Sequence, residues 1–217
     1  MYDDLVAFIP HFYFIIQGVV VTLKYSIASV CLGMALGTIL AICKILDVTA
    51  LRIFAHGYTS IFRGTPLLIQ LTIVYFGLPS LLGIKLDVFS AGVIAFSLNS
   101  GAYVSEIIKA GINSVDKGQI DASKSLGIPP IMCMRDIILP QALRNILPAL
   151  VNELINLVKE SALISIIGEM DLMRRAQLVS AETFSFFIPM LTAAFAYYIL
   201  VLIISSFAMI LEKKLAL

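Results

Sequence analysis

The chain has 217 residues, of which 60% are hydrophobic and 13% charged, and its formal net charge is +1. This composition is too apolar for a water-soluble domain of that length, and the near-neutral charge gives no indication of a nucleic-acid partner. The sequence therefore predicts a single transmembrane domain over residues 1–217, with no separate soluble domain.

The apolar stretches are continuous, and each is long enough to cross a bilayer as a helix of roughly 20 residues. They do not alternate with a period of two residues, so a helical bundle is favoured over a barrel. The predicted fold class is an all-α membrane protein, a five-span helical bundle. The spans are predicted at about 13–43, 53–82, 88–108, 146–167 and 188–211.

The first predicted span carries a stripe of small residues. Ser29, Gly33, Gly37 and Ala41 recur every four residues and therefore lie on one face of a helix. Small residues let two helix backbones approach closely in a membrane. Packing within the chain is favoured over a seam between two chains, since any helix pair can use such a stripe.

A polar segment, residues 109–144, separates the third and fourth predicted spans. Asp116, with Gln119 three residues later, is the arrangement of a helix capping box. Gly127 is the residue type that ends a helix in the left-handed conformation. The sequence between them is predicted to form a short amphipathic helix.

The second half of this segment is rich in proline. Pro129 and Pro130 are typical of the start of a helix, and residues 131–138 are predicted to form a second short helix. Pro140 is predicted to separate this helix from the next span. Two short helices joined by a Gly/Pro turn make a compact structure, unlike a flexible linker. Such a structure can pass the motion of a partner into the spans on either side.

The distribution of basic residues predicts the orientation in the membrane. Nine basic residues fall on one side of the predicted spans and three on the other. The nine are Lys44, Arg52, Lys109, Lys117, Lys124, Arg135, Arg144, Lys213 and Lys214, and the three are Lys85, Arg174 and Arg175. The positive-inside rule then places the N-terminus outside, and the 109–144 loop and the C-terminus in the cytoplasm.

The fourth predicted span contains acidic residues, which are costly in hydrocarbon and indicate a functional site. Glu153 and Glu160 are seven residues apart and share a helix face, roughly 10 Å apart along the axis, with Asn156 between them. This acidic stripe could receive a guanidinium or ammonium group. The alternative is structural ion pairing with a basic residue of the chain, namely Lys24, Arg63 or Lys159.

Four neutral polar residues in the second and third predicted spans are further candidates for substrate binding. Gln70, Asn99, Thr65 and Ser97 could donate or accept hydrogen bonds at an α-carboxylate or α-amine. Hydrogen bonds between helices are the alternative for each of them.

No motif for enzyme chemistry is present in the sequence. A GxxxxGK[ST] phosphate loop and an HExxH motif are both missing, and no spacing of histidine or cysteine predicts a metal site. The chain is therefore predicted to have no catalytic residues and to bind no nucleotide through a phosphate loop. Any energy from ATP would come from a separate polypeptide.

The 109–144 loop resembles the EAA loop of ABC import permeases. Asp121, Ala122 and Ser123 occupy the positions of its Glu-Ala-Ala, and Gly127 follows at the family's spacing. The resemblance implies that these four residues contact the ATPase subunit through cytoplasmic coupling helices. Asp121 keeps the charge of the usual glutamate, and Ser123 is slightly larger than the usual alanine.

Other motifs extend the resemblance over about residues 17–165, to permeases of the polar amino acid uptake family of the histidine, glutamine and arginine type. These motifs are RGTPLL at 63–68 with Gln70, Asn99 with Ala102, Tyr103, Glu106 and Gly111, the segment LPQA at 139–142, and the segment KES at 159–161. The resemblance implies the fold of a type I ABC importer permease in the cytoplasmic (inner) membrane of a prokaryote.

The partners expected from this resemblance form a complex. Two ABC ATPase subunits would carry ATP and Mg²⁺, while this chain would hold no cofactor. A second permease subunit, either a copy of this chain or a paralogue, would complete the path about a two-fold axis. An extracytoplasmic substrate-binding protein would deliver the amino acid. Asp171, Arg174, Arg175 and Glu182 are expected to form a solvated outer surface, with docking of that protein as the alternative.

The expected function is import of a polar, cationic amino acid (arginine, lysine or histidine) by alternating access. A neutral or acidic polar amino acid such as glutamine is the first alternative. A more distant alternative is an ion-coupled secondary carrier that uses Glu153 and Glu160 as a relay, which would leave the proline-rich cytoplasmic loop unexplained.

Overall fold

The structure, a computed structural model, describes residues 2–215, with side chains described for residues 8–210 and for Lys213. Within that range the regular structure is all helical, which confirms the predicted all-α class. The α-helices are α1 (Tyr2–Ile16), α2 (Gly18–Ile45), α3 (Thr49–Gly64), α4 (Leu67–Thr72), α5 (Leu78–Leu82), α6 (Val88–Asn113), α7 (Lys117–Ser125), α8 (Pro130–Met132), α9 (Leu139–Glu160), α10 (Leu172–Thr183) and α11 (Phe187–Leu215).

Three stretches of the described chain are long and apolar enough to cross a membrane: Phe8–Ile45, Val88–Asn113 and Phe187–Ile210. A fourth candidate span is a pair of helical segments, Thr49–Gly64 and Leu67–Leu82, between which the chain bends by 102°. The predicted second span is thus broken near its middle. The predicted fourth span does not reach the same hydropathy, because the charged residues of α9 fall within it, so five spans remain a prediction.

The stripe of small residues on α2 packs against α6 within the chain, as predicted. A Cβ atom added at Gly33 would lie 2.8 Å from Cβ of Ser100, and one added at Gly37 would lie 2.6 Å from Cβ of Val104. Both distances are shorter than side chains tolerate, so the two helices approach closely only because glycine lacks a Cβ. The α2–α6 pair forms the centre of the bundle.

Two π-helical turns keep helices continuous where a proline would interrupt them. One covers Ile73–Gly77, just before Pro79, and the other covers Cys133–Ile138, just before Pro140. Proline lacks an N–H and its ring clashes with the carbonyl four residues earlier, and a wider turn relieves both problems. The predicted end of the second short helix at Pro140 is therefore wrong, because the chain continues through the π turn into α9.

Candidate functional site

The first helix of the 109–144 loop begins and ends at the predicted residues, Asp116 and Gly127, but the Asp116 side chain bonds to Gly118 and not to Gln119, as a capping box would require. Asp116 begins α7, and its Oδ1 accepts a hydrogen bond from the Gly118 N–H at 2.6 Å. Gly127 has a φ of +68° and ends the helix. The Gly127 N–H donates to the Lys124 carbonyl and the Ile128 N–H to the Ser123 carbonyl, each at 3.0 Å. These two bonds form a Schellman motif and satisfy carbonyl groups at the helix end.

This loop is packed firmly against the helices on either side of it. One buried cluster joins the loop to the start of α9, and it is made of Val115, Cys133, Ile138, Ala142 and Ile146. Partly buried isoleucines of α6 pack against this cluster, namely Ile107, Ile108 and Ile112. Asn145 of α9 also donates a hydrogen bond of 2.8 Å to Ser114 Oγ. The loop and the adjoining helix ends are therefore held together as one unit that can move as a rigid body.

Three of the four predicted coupling residues are exposed. Asp121, Ala122 and Gly127 all face solvent, and Asp121 lies 3.8 Å from Lys124 Nζ in an exposed pair that contributes little to stability. Ser123 differs, because it lies on the inner face of α7. Its side chain is buried and its Oγ donates to the Gln119 carbonyl at 2.7 Å, so this side chain is absent from the exposed surface.

Two apolar residues of the loop were missed by the sequence analysis. Leu126 is 77% exposed and Ile131 is 81% exposed, on either side of the turn made by Gly127 and Pro129. Large apolar side chains exposed on a polar loop indicate a surface for a protein partner. The sequence already contained the signal for this surface, because both apolar residues flank the predicted Gly/Pro turn.

The charges at the end of this loop are paired with each other. Arg135 donates two hydrogen bonds to the carboxylate of Asp136, at 2.6 and 2.9 Å. The hydrogen bonds and the positive charge of Arg135 lower the pKa of the Asp136 carboxyl group, which is therefore ionised at neutral pH.

Gln70, Asn99 and Thr65 come together at the bend between α3 and α4. Gln70 Nε2 donates to the Phe62 carbonyl at 2.8 Å and to Thr65 Oγ1 at 2.9 Å. Asn99 Nδ2 donates to the same Phe62 carbonyl at 3.1 Å and to Gln70 Oε1 at 3.0 Å. The carbonyl of Phe62 belongs to the last turn of α3, where helical partners are lacking. These side chains therefore hold the bend.

The surroundings of this polar group do not suit a charged ligand. A cavity of about 290 Å³ lies beside Gln70 and is lined mainly by apolar residues, among them Phe62, Ile69 and Val74. Ser97 is also buried on α6, and its Oγ has no hydrogen-bond partner within the described residues. Substrate contact by Gln70, Asn99, Thr65 and Ser97 stays a prediction, whereas the interhelical alternative is visible for the first three.

Replacing Gln70 by leucine is expected to lower the thermal unfolding midpoint of the detergent-purified permease. The change removes the Gln70 amide, which donates to the Phe62 carbonyl and accepts from Asn99, and the loss of these hydrogen bonds should cost about 1–3 kcal/mol. Thr72→Val is the matched control, because it removes an exposed hydrogen bond within one helix. Equal midpoints for Gln70→Leu and the wild type would show that the bend does not depend on this amide.

The two acidic residues of α9 occupy different environments. Glu153 is buried, with 7% of its surface exposed, whereas Glu160 and Asn156 are exposed on the surface of the chain. Among the described side chains, no basic group lies within 4.0 Å of either carboxylate. The guanidinium of Arg63 instead lies over the ring of Tyr103, 5.3 Å from its centre. The proposed structural ion pairs are thus not formed within this part of the chain.

A buried ion pair was not predicted. Lys44 Nζ lies 2.7 Å from Glu106 Oε1 and 2.7 Å from Ser105 Oγ, and the lysine side chain is fully buried. This pair joins the end of α2 to α6. Lys44, which the sequence analysis used only to predict the orientation in the membrane, therefore also stabilises the contact between α2 and α6.

The prediction that Asp171 belongs to a solvated outer surface is wrong. This residue is completely buried, and its Oδ1 accepts a hydrogen bond from the Arg174 N–H at 2.8 Å as the cap of α10. Its Oδ2 accepts a bond from Tyr197 Oη at 3.1 Å, and burial raises the pKa of the Asp171 carboxyl to about 6. Arg175 donates to the carbonyls of Met170 and Phe14, which ties α10 to the end of α1.

Comparison with known proteins agrees with this architecture. Residues 33–217 match the family model described as "Binding-protein-dependent transport system inner membrane component". The chain is 62% identical over 215 residues to the "Putative glutamine transport system permease protein GlnP" of Rickettsia conorii, and the match covers 99% of each chain. It is 51% identical over 212 residues to the "Arginine transport system permease protein ArtQ" of Bacillus subtilis, which covers 98% of this chain and 97% of the relative.

A solved structure shows the same fold. It is described as "Crystal structure of an amino acid ABC transporter with histidines", and it superposes with a TM-score of 0.90 at 40% identity over 99% of this chain and 98% of that one. In such systems the permease is a membrane component, and ATP hydrolysis belongs to a separate subunit. The ion-coupled carrier is therefore set aside. The chain belongs to the family of binding-protein-dependent transport system inner membrane components and is the permease of an amino acid ABC importer.

Proposed function

We propose that this permease carries a cationic amino acid, arginine, lysine or histidine, by alternating access. The observation that supports the proposal most is the acidic face of α9. Glu160 and Asn156 are exposed on the surface of a membrane-embedded chain, and no described basic side chain lies within ion-pair distance of the Glu160 carboxylate. Charged groups in a membrane face the bundle interior or a water-filled path, since facing lipid is costly. A guanidinium or ammonium group would supply the missing positive charge.

The names of relatives support two substrates. The 51% identical relative is named for arginine and the similar solved structure contains histidines, whereas the 62% identical relative is named for glutamine. Glutamine is therefore a second candidate. Its side-chain amide could bond to Asn156, but it would leave the charge of Glu160 uncompensated.

Competition for uptake tests the choice of substrate. The permease is reconstituted into liposomes with its ATPase and binding protein, and ATP-driven uptake of labelled arginine and of labelled glutamine is measured separately. Arginine uptake that lysine and histidine inhibit, and that glutamine leaves unchanged, would support the proposal. Glutamine uptake unaffected by excess arginine would overturn it in favour of the second candidate.

The proposal also says how ATP hydrolysis by the partner subunit would move the membrane helices that line the translocation path. With the N-terminus outside and the C-terminus in the cytoplasm, the 109–144 loop would dock on the ATPase through Asp121, Ala122, Gly127 and the exposed Leu126. A second permease subunit would present the same loop to a second ATPase. The buried cluster beneath the loop would transmit the movement into α6 and α9.

Replacing Asp121 by lysine is expected to uncouple ATP hydrolysis from uptake while the protein still inserts in the membrane. The change reverses a charge at an exposed contact, and like charges facing each other across an interface are costly. The ratio of amino acid transported to ATP hydrolysed is measured in proteoliposomes. Asp47→Lys serves as the control, because Asp47 is an exposed aspartate outside the coupling loop. An unchanged ratio in Asp121→Lys would remove Asp121 from the interface.

A further inference from the structure

Three phenylalanines are exposed where α10 is followed by α11: Phe184 and Phe186 lie in the short connection, and Phe187 is the first residue of α11. Phe184 is 97% exposed, and Phe186 and Phe187 are each 72% exposed. A cluster of exposed aromatic rings is unusual on a surface that faces water, and it indicates contact with a protein or a membrane.

The conformation of Phe184 strengthens this indication. Phe184 caps α10 with φ 51° and ψ 25°, in the left-handed region, and it is the only residue other than glycine with a positive φ in the described part of the chain. Glycine is usual at such a cap because it lacks a Cβ, and asparagine is tolerated because its short polar side chain can bond to the nearby backbone. A phenylalanine in this position gives up stability in the folded chain, and removal of its ring from water would offset that loss.

The exposed rings are continuous with an exposed apolar face of α11. Phe187, Leu191, Phe195 and Tyr198 are all exposed and follow one another at spacings of three and four residues, so they form one face of α11. Only 22% of the apolar window in this span is buried inside the chain. Residues 183–211 contain no aspartate, glutamate, lysine or arginine.

We propose that Phe184, Phe186 and Phe187 insert into the lipid bilayer at its boundary with water and anchor the α10–α11 turn there. α11 has 29 residues. A helix of that length extends about 43 Å, beyond the roughly 30 Å of the hydrocarbon core, so its first turn lies at the boundary. Aromatic side chains favour this region. The exposed face of α11 that continues from these rings contains no charged residue between positions 187 and 198, which favours lipid over a soluble protein as its partner.

The absence of tryptophan from the sequence makes a direct test possible. Phe184→Trp and Phe186→Trp each introduce a single tryptophan into the permease, whose fluorescence can be excited apart from that of the tyrosines, and each variant is then reconstituted into liposomes. Quenching is compared between lipids brominated near the headgroup, lipids brominated deep in the acyl chain, and aqueous iodide. Phe195→Trp is the control within the span, and Leu126→Trp is the control for an exposed cytoplasmic residue.

The proposal predicts at least about twofold quenching of both loop tryptophans by the shallow brominated lipid, with weaker quenching by the deep one and by iodide. Phe195→Trp should instead respond most to the deep lipid. Quenching of the loop tryptophans by iodide alone, to the level of Leu126→Trp, would overturn the proposal and place the turn in water. Protection from both lipid and iodide would also overturn it, since the rings would then be covered by protein.

Discussion

Arginine uptake is expected to fall to the background level when Glu153 and Glu160 are both replaced by glutamine. A hydrogen bond to a charged group contributes about 1.5–3 kcal/mol, so each lost carboxylate would reduce binding of a guanidinium by about 10- to 150-fold. Glutamine has nearly the same shape as glutamate, so packing around the buried Glu153 should be kept. Initial rates of ATP-driven uptake in proteoliposomes measure the effect.

The single variants distinguish the two carboxylates. Glu160→Gln is expected to reduce arginine uptake more than Glu153→Gln does, because Glu160 is exposed on the chain and Glu153 is buried. Glu182→Gln is the matched control, since it removes an exposed carboxylate outside the predicted spans. Thermal midpoints and assembly with the ATPase verify that each variant is folded. Wild-type arginine uptake in the double variant would leave both acids with a structural role only.

Replacing Gly37 by leucine is expected to prevent accumulation of the folded permease in the membrane. The added Cβ alone would lie 2.6 Å from Cβ of Val104 and 2.9 Å from the carbonyl oxygen of Gly101, which is backbone and cannot rotate away. Overpacking usually destabilises a core by about 1–3 kcal/mol, and a leucine at a backbone contact should lie at the upper end. Yield of monodisperse protein after detergent extraction measures the outcome.

Alanine variants provide a matched comparison for this glycine. Alanine favours a helix over glycine by roughly 1 kcal/mol, so Gly57→Ala, where a Cβ meets nothing within 4 Å, should leave the thermal midpoint unchanged or raise it. Gly37→Ala should lower the midpoint despite the same propensity gain. Equal midpoints for the two alanine variants would show that α2 and α6 can separate without loss of stability.

Features set by local sequence were predicted correctly. The small residues of α2 share a face because of their spacing alone, and the structure packs them on α6. The ends of α7 follow from Asp116 and Gly127, whose capping preferences depend on a few neighbouring residues. The bend after α3 had a local signal too, because Gly64 and Pro66 are typical of a helix break. These residues were assigned to a family motif and the break was missed.

Features that depend on distant contacts could not be predicted. Gln70 and Asn99 are 29 residues apart in sequence, and only the fold brings their amides together at the bend. Asp171 is polar and lies between the charged residues Glu169 and Arg174, so its local sequence does not indicate that it is buried and bonded by Tyr197, 26 residues later. Helical spacing places Glu153 and Glu160 on one face, but the burial of one and the exposure of the other depend on the helices packed against α9.

The π turn before Pro140 has a mechanical consequence. It joins the 109–144 loop to Glu160 through continuous helical structure, and α9 alone extends about 33 Å over its 22 residues, with one internal proline, Pro148. A displacement of the loop would therefore be passed along α9 towards Glu160, and Pro148 is the position at which the helix could bend. Linkage is reciprocal, so if movement of the loop changes affinity at Glu160, occupancy of that acid must bias the ATPase by the same free energy. Under the proposed function, binding of the amino acid and binding of nucleotide would therefore be energetically coupled through α9.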